Sequence, residues 1–433
     1  MPRPDSVTGL ALRLLRLRGV TPVRVALGAA LAAGLALAVS ARVPSPAAAP
    51  DVPDAQRIAF DTRPFDENAP VAYEPVLVAT STGWLAAWTL WGRGLPAAVE
   101  LAALTPDGAL AAPPRTLSSR EAFSRSPGLA CGGDRCAVAW SSRTEHEQGV
   151  RPYVEFVDAA GRAVVDAALL SEATPVYDVA VAHGGGVFAF AWQLPGASRT
   201  IHFARRDGEG HRVGEDRALP DASSSCAFDT ALAAAPQGWL VVHDRCDFNR
   251  DRGAVVARWL APDGAPAGEL TVARFAGATH HVRLAASGAS HLLTWGEDGP
   301  LHSARHDPRF ARLDGRAFGV EPAPLAPRRS ASPTAAACNA TGCSFAWVEA
   351  APGAETPELF VERRGHDGLR VGNPLRVPAR GGASLWLAPA LATAADGATQ
   401  LLLLPLARGG GLFAQRLDAE GRLLGVGHVI PLR

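Results

Sequence analysis

The chain has 433 residues, with 42 basic against 42 acidic side chains and therefore no formal net charge. Every basic residue is an arginine, and the body of the chain carries no basic block. Nucleic-acid binding, which needs a clustered excess of positive charge, is excluded on that ground.

The amino terminus differs from everything after it. Arg3, Arg13, Arg16, Arg18 and Arg24 precede an apolar run from Val25 to Val39, and the small residues Ser40 and Ala41 follow. A basic segment, a short apolar segment and small residues make a secretory signal over 1–41. The run is short for a spanning helix, which needs about 20 apolar residues. Cleavage after Ala41 and retention as a membrane anchor both stay open. Residues 42–56 read as a Pro/Ala-rich linker, and Arg57–Asp61 as a short strand ahead of the first repeat.

From there on one unit is copied. Runs such as Cys136-Ala-Val-Ala-Trp140 and Phe188-Ala-Phe-Ala-Trp192 recur, and their last residues are Trp88, Trp140, Trp192, His243, Trp295, Trp347 and Leu404. A repeat of roughly 50 residues signals a stacked or ring architecture. Within a unit an apolar run is followed by a Gly-containing turn, the Trp-ended run, a variable polar loop and an alternating run. An Asp-Gly type turn, as at Asp107-Gly108 or Asp263-Gly264, then leads to a short last run. Short runs bounded by Gly, Asp and Pro are strands joined by hairpins. Four strands in each of seven units predict an all-β, seven-bladed β-propeller of four-stranded antiparallel blades over 57–433. The Trp-ended run is apolar throughout, as suits a second strand covered on both faces by neighbouring blades. Its tryptophans are then core, and among the others Trp91 is the most exposed. Arg57–Asp61 and His428–Leu432 both remain candidates for the edge that closes the ring.

Three cysteine pairs fall around first hairpins: Cys131 with Cys136, Cys338 with Cys343, and Cys226 with Cys246. Facing residues of antiparallel strands lie within disulfide reach, and disulfides belong to exported proteins. A Cys-x4-Cys pair can also ligate zinc, but no histidines stand at finger-like spacing.

Val256-Ala-Arg-Trp-Leu-Ala-Pro-Asp-Gly264 and Phe413-Ala-Gln-Arg-Leu-Asp-Ala-Glu-Gly421, with the Trp-ended runs, resemble the repeats of secreted bacterial β-propeller proteins of unassigned function. The resemblance covers all seven units and implies fold and export. It brings no catalytic residues with it.

Candidate chemistry is sparse. In the fourth unit Asp247, Asn249 and Asp251 alternate, as in loops that offer oxygen ligands to calcium, a cation that wants six to eight oxygens. The match is partial, because no bidentate Glu follows and Arg250 and Arg252 interleave. Calcium is thus the one cofactor to consider; otherwise none is implied. His146, between Glu145 and Glu147, is a binding candidate on the second unit's loop, and Glu297 and Asp298 are candidates on the fifth. His281 opens the fifth unit's first strand near the channel. Adjacent residues of a strand point to opposite faces, so only one of His280 and His281 can reach that channel. His243 reads as a core imidazole bonded to a backbone group. The loops after the Trp-ended runs share a face with the crossings between blades, and loops on a rigid scaffold carry function. The expectation is an exported, monomeric, non-enzymatic scaffold that binds a protein or a glycan. The alternatives are a polysaccharide-active hydrolase or lyase, and a membrane-anchored structural component of the envelope.

Overall fold

The computed structural model describes residues 70–432, apart from 93–94, 119–122, 144–148, 173–175, 177, 195–199, 221–228, 248–251, 277–278, 288, 299–305, 326–330, 351–356, 379–382, 385–386 and 407–409. The expected signal, the linker and the Arg57–Asp61 strand lie outside them. Among the described residues no helix is long and apolar enough to cross a membrane.

Seven four-stranded antiparallel sheets follow one another over residues 71–116, 123–169, 179–220, 230–276, 279–324, 335–377 and 390–430. Each is built from four consecutive strands in sequence order. The first strand of every sheet touches the first strands of the sheets before and after it, and that of the seventh touches that of the first. The sheets are therefore blades of a closed ring, and the first strands line its axis. Leu423–Ile430 forms the outer edge of blade seven. Blade seven thus closes its own edge with the carboxy-terminal strand.

The sequence dictates the ring through its second strands. Arg135–Arg143, Val187–Leu194 and Gly342–Glu349 are buried almost end to end, and Gly83–Gly92 is buried through its middle. Alternate residues of each point into opposite seams. Leu401 and Leu403 pack against Trp84 and Trp88 of blade one, while Leu402 and Leu404 pack against Val348 and Val361 of blade six. Trp88, Trp140, Trp192, Trp295 and Trp347 are all buried seam residues. Trp140, Trp192 and Trp347 also stack on the residues facing them across the next strand, Tyr153, His202 and Phe360. Such aromatic pairs contribute about 0.5–1.5 kcal/mol beyond their buried area. Trp91, at a strand end, is 52 % exposed.

Disulfides join Cys131 to Cys136 and Cys338 to Cys343, each pair facing across the first hairpin of its blade with Cα atoms 4.0 Å apart. The expected Cys226–Cys246 pair lies outside the described residues.

Candidate functional site

Where the inner strands begin, a cavity of about 480 Å³ opens among blades one to five. Its charged lining is Glu74, Arg125, Asp178, Asp229, His281 and Arg283. Strand 1 starts at the end of the blade where strand 2 finishes, so this opening shares its face with the variable loops.

Repeat spacing puts Glu74, Ser126, Asp178, Asp229 and His281 at one equivalent place in blades one to five, and Pro333 holds it in blade six. In blades one, two and five that place is a bulge. Pairing of the first two strands slips between Tyr73 and Val76, between Arg125 and Gly128, and between His280 and Arg283. Glu74, Ser126 and His281 have φ of 49°, 53° and 59°, left-handed values that L side chains rarely adopt. A bulge re-aims the side chain it carries, and non-glycine residues held there gather at ligand sites.

Each strained position is held by its neighbour. Ser126 Oγ donates to Glu74 Oε2 (2.7 Å), and Ser126 N–H donates to Thr89 Oγ1 (3.0 Å) in the preceding blade. Thr230 N–H donates to Asp178 Oδ2 (3.3 Å), and His281 N–H donates to Asp229 Oδ2 (2.7 Å). Asp229 is fixed from below. Its N–H donates to Asp244 Oδ1 (3.1 Å), while Gln193 Nε2 donates both to Asp229 O (2.7 Å) and to Asp244 Oδ1 (3.1 Å). Gln193, Thr230, His243 and Asp244 are buried in the seam between blades three and four. His243 Nδ1 lies 2.9 Å from Asp244 O. The imidazole that stands where other blades have tryptophan is thus a core group bonded to backbone.

Burial pushes the Asp178 carboxyl well above the ordinary range, and the Asp229 and Glu74 carboxylates push it further; Arg283 and the Thr230 N–H oppose them. Asp178 Oδ1 is buried with no hydrogen-bond partner among the described residues. The cavity thus sets the Glu74, Asp178 and Asp229 carboxyls against the Arg125 and Arg283 guanidinium groups, and burial favours the neutral form of Asp178.

Of the residues proposed from sequence, His281 lines this cavity. Glu297 does not. It accepts from Trp295 Nε1 (3.2 Å) and pairs with Arg309 (3.1 Å), which makes it a support of the seam. Asp298 ends the strand Ser290–Asp298 opposite His306, and Asp247 ends the strand Gly238–Asp247 opposite Arg252. His146, Asn249 and Asp251 lie outside the described residues, as do the side chains of Asp247 and Asp298. Among the described residues no group of three or more His, Cys, Asp or Glu side chains is placed to hold a metal ion.

Sequence reading passed over Glu74, Arg125, Asp178, Asp229 and Arg283. The chain's own repeats carry a signal for one of them. Val76, Gly128, Ala180, Ala231, Arg283 and Ala335 are equivalent, each facing an equivalent residue of its second strand. An arginine where every other copy is small or apolar marks a position the fold itself does not require.

No family model and no curated protein matches the sequence. Among solved structures the chain is similar to a protein of unknown function from Dyadobacter fermentans (TM-score 0.49, 12 % identity, 69 % of this chain and 97 % of that one). It is also similar to a puromycin-hydrolyzing peptidase of Mycobacterium tuberculosis (0.49, 14 %, 83 % and 53 %). A third similarity is to the β-propeller domain of the Trilobed protease from Pyrococcus furiosus (0.47, 12 %, 81 % and 98 %). This chain thus spans about half the length of the peptidase.

Proposed function

We propose that this propeller is a ligand-binding module working outside the cytoplasm, and that it takes the polar end of a glycan into the central cavity. One observation carries the reading. Five successive blades put hydrogen-bonding side chains at one equivalent place around a single opening, three of them on strained bulges. A binding pocket with a few convergent polar groups and a perturbed carboxyl is the default ligand site of a fold. Tyr73, next to Glu74 in the chain, and the exposed Trp91 have ring centroids 5.6 Å apart and planes tilted by 48°, and offer aromatic faces that a sugar ring can cover. Two disulfides favour an oxidising, exported setting.

Binding to a glycan array and to a panel of envelope proteins tests this. A glycan ligand should bind, and Arg283→Ala, which restores the alanine of blades three, four and six, should weaken it about tenfold or more without loss of Tm. Absence of any glycan ligand, or full binding by the variant, defeats the reading; capture of an envelope protein alone would replace the glycan by a protein partner.

A second reading has one observation of its own. Burial and its neighbours Asp229 and Glu74 raise the proton affinity of Asp178, and carboxyls pushed apart in this way are how hydrolases of glycosidic bonds separate acid from base or nucleophile. Turnover of a polysaccharide that vanishes in Asp178→Asn would favour it over binding.

A further inference from the structure

The direction of the Trp91 ring follows from the strand that carries it, Gly83–Gly92. Ala86, Trp88 and Leu90 pack into the seam with blade seven, while Leu85 and Ala87 pack into the seam with blade two. Thr89 continues the second set, since its Oγ1 accepts from the Ser126 N–H of blade two (3.0 Å). Side chains two apart share a face of a strand, so Trp91 turns toward blade two as well, one step nearer the loop face of the ring. On the neighbouring strand Tyr73 is opposite Thr89 and Val71 is opposite Trp91. Tyr73 and Trp91 are therefore diagonal neighbours on one face, a separation that aromatic rings can bridge, and their centroids lie 5.6 Å apart.

The rim of the central cavity lies just beneath this pair. Ser126 and Glu74, joined by their 2.7 Å hydrogen bond, both line the cavity. Two residues of strand span about 7 Å, so Trp91 stands roughly that far beyond the Thr89–Ser126 contact. Its indole is 52 % exposed, while every other tryptophan among the described residues is buried. A single exposed ring on a surface is ordinary. Here two rings share one side, at the edge of a cavity whose carboxylates suit hydroxyl donors. A sugar ring has hydroxyls around its rim and C–H groups on its faces. The cavity matches the first and the indole matches the second.

We propose, on the reading of the central cavity as a glycan site, that Trp91 and Tyr73 form its second subsite. The end residue of an oligosaccharide enters the cavity, and the residue behind it covers the indole of Trp91. The glycan is then recognised from its end, over at least two residues, and the chain leaves over the seam between blades one and two. Trp91 thereby sets a preference for length that the cavity residues do not.

Titration with the one- to four-residue members of the cello-, manno-, xylo- and chito-oligosaccharide series tests this, by calorimetry and, for the weakest members, by ligand-observed NMR. In the series whose end sugar fits the cavity, affinity should rise about tenfold from one residue to two, the gain expected from covering one face of an indole, and change little beyond that. Trp91→Ala should remove the rise and leave both the single-residue Kd and the Tm as they are; a ring that only supported the fold would move both. The two-residue sugar should also change the tryptophan fluorescence of the native protein and not that of Trp91→Ala. Arg283→Ala should weaken every length by the same factor, which separates the cavity from the subsite. The proposal falls if no series binds, if the native protein shows no rise from one residue to two, or if Trp91→Ala keeps the rise. In each of these cases a positive glycan array leaves the reading of the central cavity standing, and an empty array removes both.

Discussion

The seam between blades six and seven and the seam between blades three and four are copies of one design with opposite contents. Leu402, Leu404 and Phe413 meet Val348, Leu359 and Val361 in the first, and its polar contacts, Gln400 Nε2 to Ala337 O and Asn339 Nδ2 to Ala419 O, lie at the end away from the cavity. The second has a comparable apolar floor, yet near the cavity it buries Gln193, Thr230, His243 and Asp244. Both keep the ring closed, so closure does not need polar groups at the cavity end of a seam. What they add is position. Asp244 and Gln193 hold the backbone of Asp229, whose carboxylate holds the left-handed His281 at the cavity wall. A repeat protein can dedicate one seam to a site because the other six supply the stability.

The largest effect expected from breaking this contrast is in the apolar seam. Leu404→Ala should cost about 2–5 kcal/mol, the range for truncating a fully buried leucine. It should leave the cavity alone, so the His281 ring signals in NMR spectra stay where they are. Asp244→Ala should cost less, about 1–3 kcal/mol, because it leaves the Asp229 N–H short of a partner in a buried setting. Its imprint on the cavity should be greater, with a clear shift of the His281 signals. Denaturant melts give the two costs; if NMR spectra show the two variants disturbing His281 alike, the polar seam is not what positions the wall.

The same contrast separates what could be read in the sequence from what could not. Blade number, strand count and the burial of Trp88, Trp140, Trp192, Trp295 and Trp347 follow from local pattern. Periodicity along the chain is set by which face of a strand is covered, and that is the same in every copy. The cavity is a different kind of object. It gathers one position from each of five blades, about 52 residues apart, and no local motif links Glu74 to Asp178 or Asp229. The bulges that aim these side chains are also silent in composition, since the left-handed places hold Glu, Ser and His where glycine would have announced a turn. His281 was legible only because it opens a strand beside the axis. Glu297, legible as an exposed acid, proves to be half of an internal pair with Arg309, because strand pairing brings the two together. Departure from the repeat average, as at Arg283 and His243, is the sequence signal that remains.

The smallest and most specific effect concerns protons. Asp158 and Asp207 sit in exposed turns. Their slight burial is outweighed by hydrogen bonds from the backbone and side chains of Arg162 and His211, so both lie below the ordinary carboxyl range and lend stability that is lost on acidification. Asp178 has the opposite sign. Its folded-state affinity for the proton is raised by burial and by Asp229 and Glu74. As pH climbs from about 4, the ordinary carboxyl value, the unfolded chain releases a proton that the folded protein keeps, and the unfolded state gains. That loss levels off only above the folded-state pKa of Asp178. Asparagine retains an oxygen for the Thr230 N–H but has no proton to lose. Asp178→Asn should therefore differ little from the native protein in Tm near pH 4 and become progressively the more stable of the two toward pH 8. Turn carboxylates such as Asp158 cancel in that difference, and Leu404→Ala should show a Tm deficit with no comparable slope. A gap that is flat with pH, or one that widens on acidification, would mean that Asp178 is ionised in the folded protein, which would favour a cationic ligand over a neutral sugar.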